Sequence, residues 1–240
     1  MNKFIFDVDG TLTPSRGVID KEFKEFFLDF CNSNHVFLVT GSDYPKTLEQ
    51  LGEEICMSVK AVYNCSGNDV WCKGVRIHTN TWELPQKARV WLENELDASK
   101  FTLRTGNHIE DRPATINFSI VGRNATRVER DLYVKWDCET NERTDIAERF
   151  NNEFPDLEAR VGGETGIDIY LKGCDKSQIV KDFKKTDTLH FFGDKTDPGG
   201  NDYPLASIID LYKLGVSHNV RHWKDTYERL AYLIEARIAA

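Results

Sequence analysis

The chain has 240 residues, 40% apolar and 29% charged, with a net charge of −8 at pH 7. Such a composition fits a soluble globular protein of one or two domains with a sizeable core, and the acidic balance argues against nucleic acid or an anionic membrane surface as a partner. No run of 18 apolar residues predicts a transmembrane helix, the N-terminus lacks a signal-peptide pattern, and six cysteines without a CxxC pair read as reduced thiols of a cytoplasmic protein.

Phe4-Ile5-Phe6 forms a short apolar run, as expected of a parallel strand buried on both faces. It leads into Asp7-Val8-Asp9-Gly10-Thr11-Leu12-Thr13. The spacing places Asp7 and Asp9 on one face at the carboxyl end of the strand, where open α/β sheets bind ligands. Two neighbouring carboxylates there are costly unless a cation or protons neutralise them. The loop Pro14-Ser15-Arg16-Gly17 follows, then a helix over 20–33 with Asp20 as N-cap and Phe23, Phe26, Phe27 and Phe30 on its core face.

Val36–Val39 reads as a second buried strand, ending in Thr40-Gly41-Ser42-Asp43 before a helix over 44–51. A hydroxyl at such a strand end holds a phosphoryl oxygen together with backbone N–H groups, or else it caps the helix. Ala61–Asn64 is a third strand, and Lys73-Gly74 is the turn of a hairpin between 70–72 and 75–78. A middle block follows in the pattern α-β-β-α-α-β-β: a helix over 85–96, strand pieces within 101–121, helices near 126–137 and 144–154, and strands at 157–161 and 167–171. It is more antiparallel than its flanks. The fold class is therefore α/β: a doubly wound, Rossmann-like core from residues 1–78 and 174–240, with an inserted α+β cap over 79–173. Cys174-Asp175-Lys176 opens a helix, Thr188–Phe192 is another apolar strand, and Gly193-Asp194-Lys195-Thr196-Asp197-Pro198-Gly199-Gly200-Asn201-Asp202 is its loop. A helix over 225–239 closes the chain.

The stretch from Asp7 to Thr13 resembles motif I, DxDGTLT, of the haloacid dehalogenase-like phosphotransferases. The loop GDKTDPGGND is similar to the longer GDKTxPGGND of the eukaryotic-type phosphomannomutases within that superfamily. Asn117–Arg123 resembles their N-[VF]-S-P-I-G-R segment, and Gly162–Asp168 their G-G-Q-I-S-F-D. The resemblance spans essentially the whole chain. It implies Asp7 as the nucleophile that becomes an aspartyl phosphate, Asp9 as general acid/base, and Lys176 as the lysine that neutralises the charge. It implies Mg²⁺ on Asp7, Asp9, Asp194 and Asp202, since Mg²⁺ prefers oxygen ligands. Either Thr40 or Ser42 would contact the transferring phosphoryl group. Arg16, Arg112, Arg123 and Arg130 would hold the other phosphate of a small phosphorylated sugar and nearby hydroxyls, with Asp168 as a sugar-hydroxyl ligand and the Gly166 N–H as a donor to phosphate. Arg127 reads instead as a surface ion-pair residue.

The resemblance further implies a phosphohexomutase acting on mannose 1-phosphate or glucose 1-phosphate, with a hexose 1,6-bisphosphate activator and a homodimer formed through the cap. The alternatives are a sugar-phosphate phosphatase using the same nucleophile, and a non-catalytic sugar-phosphate-binding protein. Gly166 stands where the family has serine, which implies one hydroxyl contact fewer.

Overall fold

The computed structural model describes residues 1–238, and Ala239, which the sequence assigns to the last helix, lies outside the described residues. Two sheets organise the chain. The first has seven strands: β1 (Asn2–Phe6), β2 (His35–Val39), β3 (Ala61–Asn64), β4 (Asp69–Cys72), β5 (Val75–Thr79), β10 (Thr188–Gly193) and β11 (Gly215–Asn219). Their spatial order is β11-β10-β1-β2-β3-β4-β5. The pairs from β11 to β3 are parallel, whereas β4 and β5 form the expected antiparallel hairpin at one edge. The chain leaves β1 towards β3 on one side and returns to β10 on the other. The carboxyl end of β1 is thus a topological switch point, the crevice in which α/β sheets take ligands.

Alternation along the strands explains the two-sided core. Phe4, Phe6 and Phe192 pack with Phe23, Phe27 and Phe30 of α1 (Lys21–Ser33) and with Leu230 of α8 (Trp223–Ile238). Ile5, Val39 and Phe191 pack on the opposite face against Ile179 and against Leu205 of α7 (Tyr203–Leu211). Asp20 caps α1 by accepting from the backbone N–H groups of Glu22 and Phe23, as its side-chain chemistry predicts. Asp43 does the same for α2 (Tyr44–Leu51) through Lys46 N.

The second sheet has the order β6-β7-β9-β8, all antiparallel: β6 (Ile109–Arg112), β7 (Thr115–Phe118), β8 (Leu157–Gly162) and β9 (Gly166–Leu171). Its own core includes Phe118, Ile167 and Ile169, with Ala88 and Leu92 of α4 (Gln86–Ala98), Tyr133 of α5 (Arg127–Thr140) and Phe150 of α6 (Glu142–Glu153). This block, called the cap below, covers the carboxyl end of the first sheet.

Three elements add to the expected pattern: α3 (Glu53–Ser58), α7 and β11. The helix expected at Lys176 is a 3-10 helix, Lys176–Asp182, capped by Asp175 through Ser177 N. Its tight turn suffices to carry one lysine under the sheet end. Among the described residues, no helix is long and apolar enough to cross a membrane.

Candidate active site

β1 ends at Phe6, so Asp7 and Asp9 are carried by a loop rather than by the strand itself. That loop is wound tightly: the N–H groups of Thr11, Leu12 and Thr13 converge on the Val8 carbonyl, and Gly10 N donates to Thr13 O at 2.9 Å. Gly10 adopts φ +82°, and a Cβ there would lie 2.5 Å from Asp194 Oδ2. Glycine therefore serves both the turn and the approach of the β10 loop.

Asp7 is buried, and its Oδ1 accepts from Lys176 Nζ at 2.5 Å. The same ammonium donates to Asp202 Oδ1 at 2.6 Å. Lys176 and Asp202 are both 0% exposed, so of the triad only Asp7 reaches the cavity. Asp202 Oδ2 accepts from Lys195 N at 3.0 Å, which ties the loop after β10 to the triad. Burial alone would lower the Lys176 pKa, but Asp202 and Asp7 outweigh it and raise it above the ordinary lysine value. Burial, and then the neighbouring Asp202, push Asp7 well above the usual carboxylate range. Burial and Asp202 likewise push Asp194 up to about 7. Carboxylate oxygens of Asp7, Asp194 and Asp202 lie within 4.8 Å of one another. The donor set is all hard oxygen and carries excess negative charge in a low-dielectric setting, so it fits a divalent cation such as Mg²⁺.

Asp9 makes contacts of its own. Its carboxylate is not part of that three-aspartate group. One oxygen accepts from Arg16 N at 2.5 Å and Gln50 Nε2 at 3.0 Å, and the other from Ser42 Oγ at 3.4 Å. Alternation suggested that the two aspartates act as a pair, but the turn at Gly10 points them at different partners. Asp9 is thereby held by neutral donors beside Asp7. Gln50, buried on α2, also donates to Thr13 Oγ1 and Gly17 O. Nothing in the chain's pattern marks it beyond a polar residue on the inner helical face.

One cavity of about 60 Å³ collects the remaining candidates. From the large sheet it is lined by Asp7, Asp9, Thr40, Ser42 and Asp194, with Asn201 at its edge. From the cap come Arg112, Arg123, Arg130, Gly166 and Asp168, and Arg16 enters from the loop after motif I. Lys176 and Asp202 stand behind this wall. Thr40 Oγ1 accepts from Ser42 N at 3.1 Å.

The guanidinium groups are unevenly compensated: burial would lower the Arg112 pKa, but Asp168 and Glu110 outweigh it and raise it, whereas Arg123 and Arg130 are left lowered. Glu110 takes both Arg112, at 2.8 Å and 2.5 Å, and Arg123, at 3.1 Å. Arg112 Nη1 donates across to Gly41 O at 2.8 Å and stands 3.7 Å from Asp168. Arg130 has only Glu164, at 3.9 Å, among the ion pairs of the described residues. Burial, with Arg112 and Arg16 nearby, pushes Arg123 down to about 10, and burial with Arg16 lowers Arg130. Arg16 Nη1 is buried without a hydrogen-bond partner. A cluster in this state favours an anion. Arg127 lies outside it and pairs at the surface with Asp131 and Glu164. Cap and core meet directly in three further places: the Val161–Gly200 bridge, Thr115 Oγ1 on Cys65 O at 3.3 Å, and Asp168 against Gly41.

Residues 23–236 match the family model for eukaryotic phosphomannomutase. The chain belongs to the eukaryotic phosphomannomutase family. It is 32% identical to the phosphomannomutase of Saccharomyces cerevisiae, over 95% of this chain and 92% of that protein. It is 32% identical to that of Drosophila melanogaster, over 96% and 94%. Among solved structures, a haloacid dehalogenase subclass IIB sugar phosphatase superposes with a TM-score of 0.60 at 14% identity, covering 98% of this chain and 99% of that one. An IMP-bound Plasmodium falciparum IMP-nucleotidase superposes with a TM-score of 0.65, also at 14% identity, covering 98% and 68%. These likenesses show the Rossmann-like haloacid dehalogenase fold of the phosphomannomutase relative described here.

Proposed function

We propose that this family member interconverts hexose 1-phosphate and hexose 6-phosphate, with mannose 1-phosphate and mannose 6-phosphate as the preferred pair. The observation that carries the reading is the single cavity with two unlike ends. One end presents the nucleophile Asp7, backed by Lys176 and Asp202, and the other presents a cluster of arginines of which Arg123 and Arg130 are short of counter-charge. A substrate with phosphates at both ends matches both.

The residues divide the work. Asp7, primed by a hexose 1,6-bisphosphate, carries the phosphoryl group as an acyl phosphate. Asp9, held by Gln50, Ser42 and Arg16 N, removes the proton from the sugar 6-hydroxyl as that oxygen attacks phosphorus and the bond to Asp7 breaks. The bisphosphate turns round, Asp7 attacks the 1-phosphoryl group, and Asp9 returns the proton to the departing sugar oxygen. Lys176 stabilises the Asp7 carboxylate at each return. The Ser42 proton is engaged by Asp9, so Thr40, which accepts from Ser42 N, keeps its own proton for a phosphoryl oxygen. Asp7, Asp194 and Asp202 would hold Mg²⁺, which supplies charge neutralisation at the transferring phosphoryl group. Arg16, Arg112, Arg123 and Arg130 bind the stationary phosphate, with Asp168 near the sugar.

Arg112, Thr115 and Val161 of the cap contact Gly41, Cys65 and Gly200 of the core and hold the two together over the site. Residues 79–173 therefore swing as a unit about the crossings near 79 and 173, breaking the Arg112–Gly41 contact to admit substrate. Cytoplasmic residence and a homodimer through the cap complete the reading, the latter checked by light scattering.

The deciding assay supplies Mg²⁺ and mannose 1-phosphate, with and without glucose 1,6-bisphosphate, and follows both hexose 6-phosphate and free phosphate. Activator-dependent isomerisation is expected. Phosphate release without isomerisation makes the protein a phosphatase and overturns the proposal.

A further inference from the structure

The cap wall of the cavity carries a hydrogen-bond acceptor that the scheme above does not use. Asn117 of β7 stands opposite Asp168 of β9 in their antiparallel register. Residues opposed in this way present their side chains on one face, and Asn117 Nδ2 donates to Asp168 Oδ1 at 2.7 Å. An ionised carboxylate only accepts, so this bond fixes which end of the amide is nitrogen. The other end, Asn117 Oδ1, is buried and has no hydrogen-bond partner. The residue is 4% exposed and lines the same cavity as Asp7 and the arginines. Buried polar atoms in folded proteins nearly always have a partner, and an exception in a cavity wall points to a ligand.

Gly166 accounts for the room. A Cβ at that position would lie 2.6 Å from Asn117 Nδ2 and 3.2 Å from Oδ1. The absence of a side chain lets the amide lie against the start of β9, and any larger residue would displace it. The chemistry of the spot also differs from that of the arginine cluster. Asn117 Oδ1 and the Asp168 carboxylate are both acceptors, so a phosphate oxygen is repelled there. A sugar hydroxyl brings the proton that such a pair lacks.

We propose that Asn117 Oδ1 is a specificity-determining contact that accepts a hydrogen bond from a ring hydroxyl of the hexose phosphate. The inference rests on the sugar-phosphate reading above and assigns the sugar, rather than either phosphate, to the Asn117–Asp168 edge of the cavity. It also gives this chain's Gly166 a role: seating the amide that reads the ring.

The test compares wild type and Asn117→Ala on mannose 1-phosphate and on its monodeoxy analogues, lacking the 2-, 3- or 4-hydroxyl in turn. In wild type, one analogue is expected to lose about tenfold in kcat/KM, the size of one neutral hydrogen bond. Asn117→Ala should lose about tenfold on the parent sugar and nothing further on that one analogue, while keeping the wild-type pattern on the others. Gly166→Ala, which retains the amide but crowds it, should show the same selective loss, and it serves if Asn117→Ala does not fold. An equal loss on every analogue, or an unchanged deoxy pattern in both variants, overturns the inference. Should wild type release phosphate and not isomerise, the mutase reading fails on its own. The same analogue series read by phosphate release then decides the role of Asn117 by the same criteria.

Discussion

The two sides of the cavity handle charge in opposite ways. On the large-sheet side the nucleophile's charge is locked: Lys176, wholly buried, bridges Asp7 and Asp202, and Asp202 is tied to the Lys195 backbone. On the cap side the charges are left wanting: Arg123 is pushed down to about 10 by burial, by Arg112 and by Arg16, whose own Nη1, reaching in from the loop after β1, has no hydrogen-bond partner. A locked cluster suits covalent chemistry, in which a group misplaced by a fraction of an ångström loses rate. An under-compensated cluster suits capture, because the ligand itself supplies the missing charge. Substitutions on the first side should therefore act on kcat or on folding, and those on the second on KM.

The sharpest break of this contrast is Asp7→Asn, which removes the nucleophile and retains the shape. A loss of about 10⁴-fold or more in kcat is expected, measured in the coupled isomerisation assay, and full activity would falsify the assignment. Lys176→Met comes next. It leaves Asp7 and Asp202 buried without their cation, a change that typically costs about 3–5 kcal/mol. At roughly 2–4 °C per kcal/mol for a chain of this size, the melting temperature should fall by about 10 °C, and a calorimetric scan showing no shift would mean that the triad is not structural.

On the cap side, Arg123→Ala should raise KM for the hexose phosphate by roughly tenfold to a hundredfold, the range for a hydrogen bond to a charged group, and leave kcat within a few-fold. The wild-type KM should itself rise with ionic strength. A variant that loses kcat at unchanged KM would erase the distinction between the two sides.

The smallest effect concerns pH. Burial and Asp202 raise Asp194 from its ordinary value to about 7. The folded protein then binds more protons than the unfolded chain between pH 4 and 7, so the contribution is present below about pH 4 and is lost as pH rises through 7. Melting scans of metal-free protein should show stability declining by a few degrees across that window. Mg²⁺ should restore more at pH 7.5 than at pH 5.5. Equal stabilisation at both values would separate Asp194 from the metal site.

Much of the large-sheet side was legible from the chain. Strands buried on both faces read as unbroken apolar runs, and the residue after each run is delivered to the sheet end by geometry alone, as with Asp7, Thr40 and Asp194. β11 escaped notice because GVSHN is a half-exposed edge strand that borrows its order from β10. The cap arginines were legible through resemblance, since their spacing in sequence carries no geometry.

Sequence by itself determined the parts that follow from local periodicity and short loops: the doubly wound order, the helix caps at Asp20 and Asp43, and the carboxylates at the strand ends. Tertiary structure alone decided which groups face each other across the cavity. It gave Asp9 its hydrogen bond from Gln50, placed Lys176 between two carboxylates far apart in the chain, and left Asn117 Oδ1 without a partner. The physical reason is that hydrogen-bond partnership and desolvation depend on contacts between distant segments, and no periodicity in the chain encodes who will be buried beside whom.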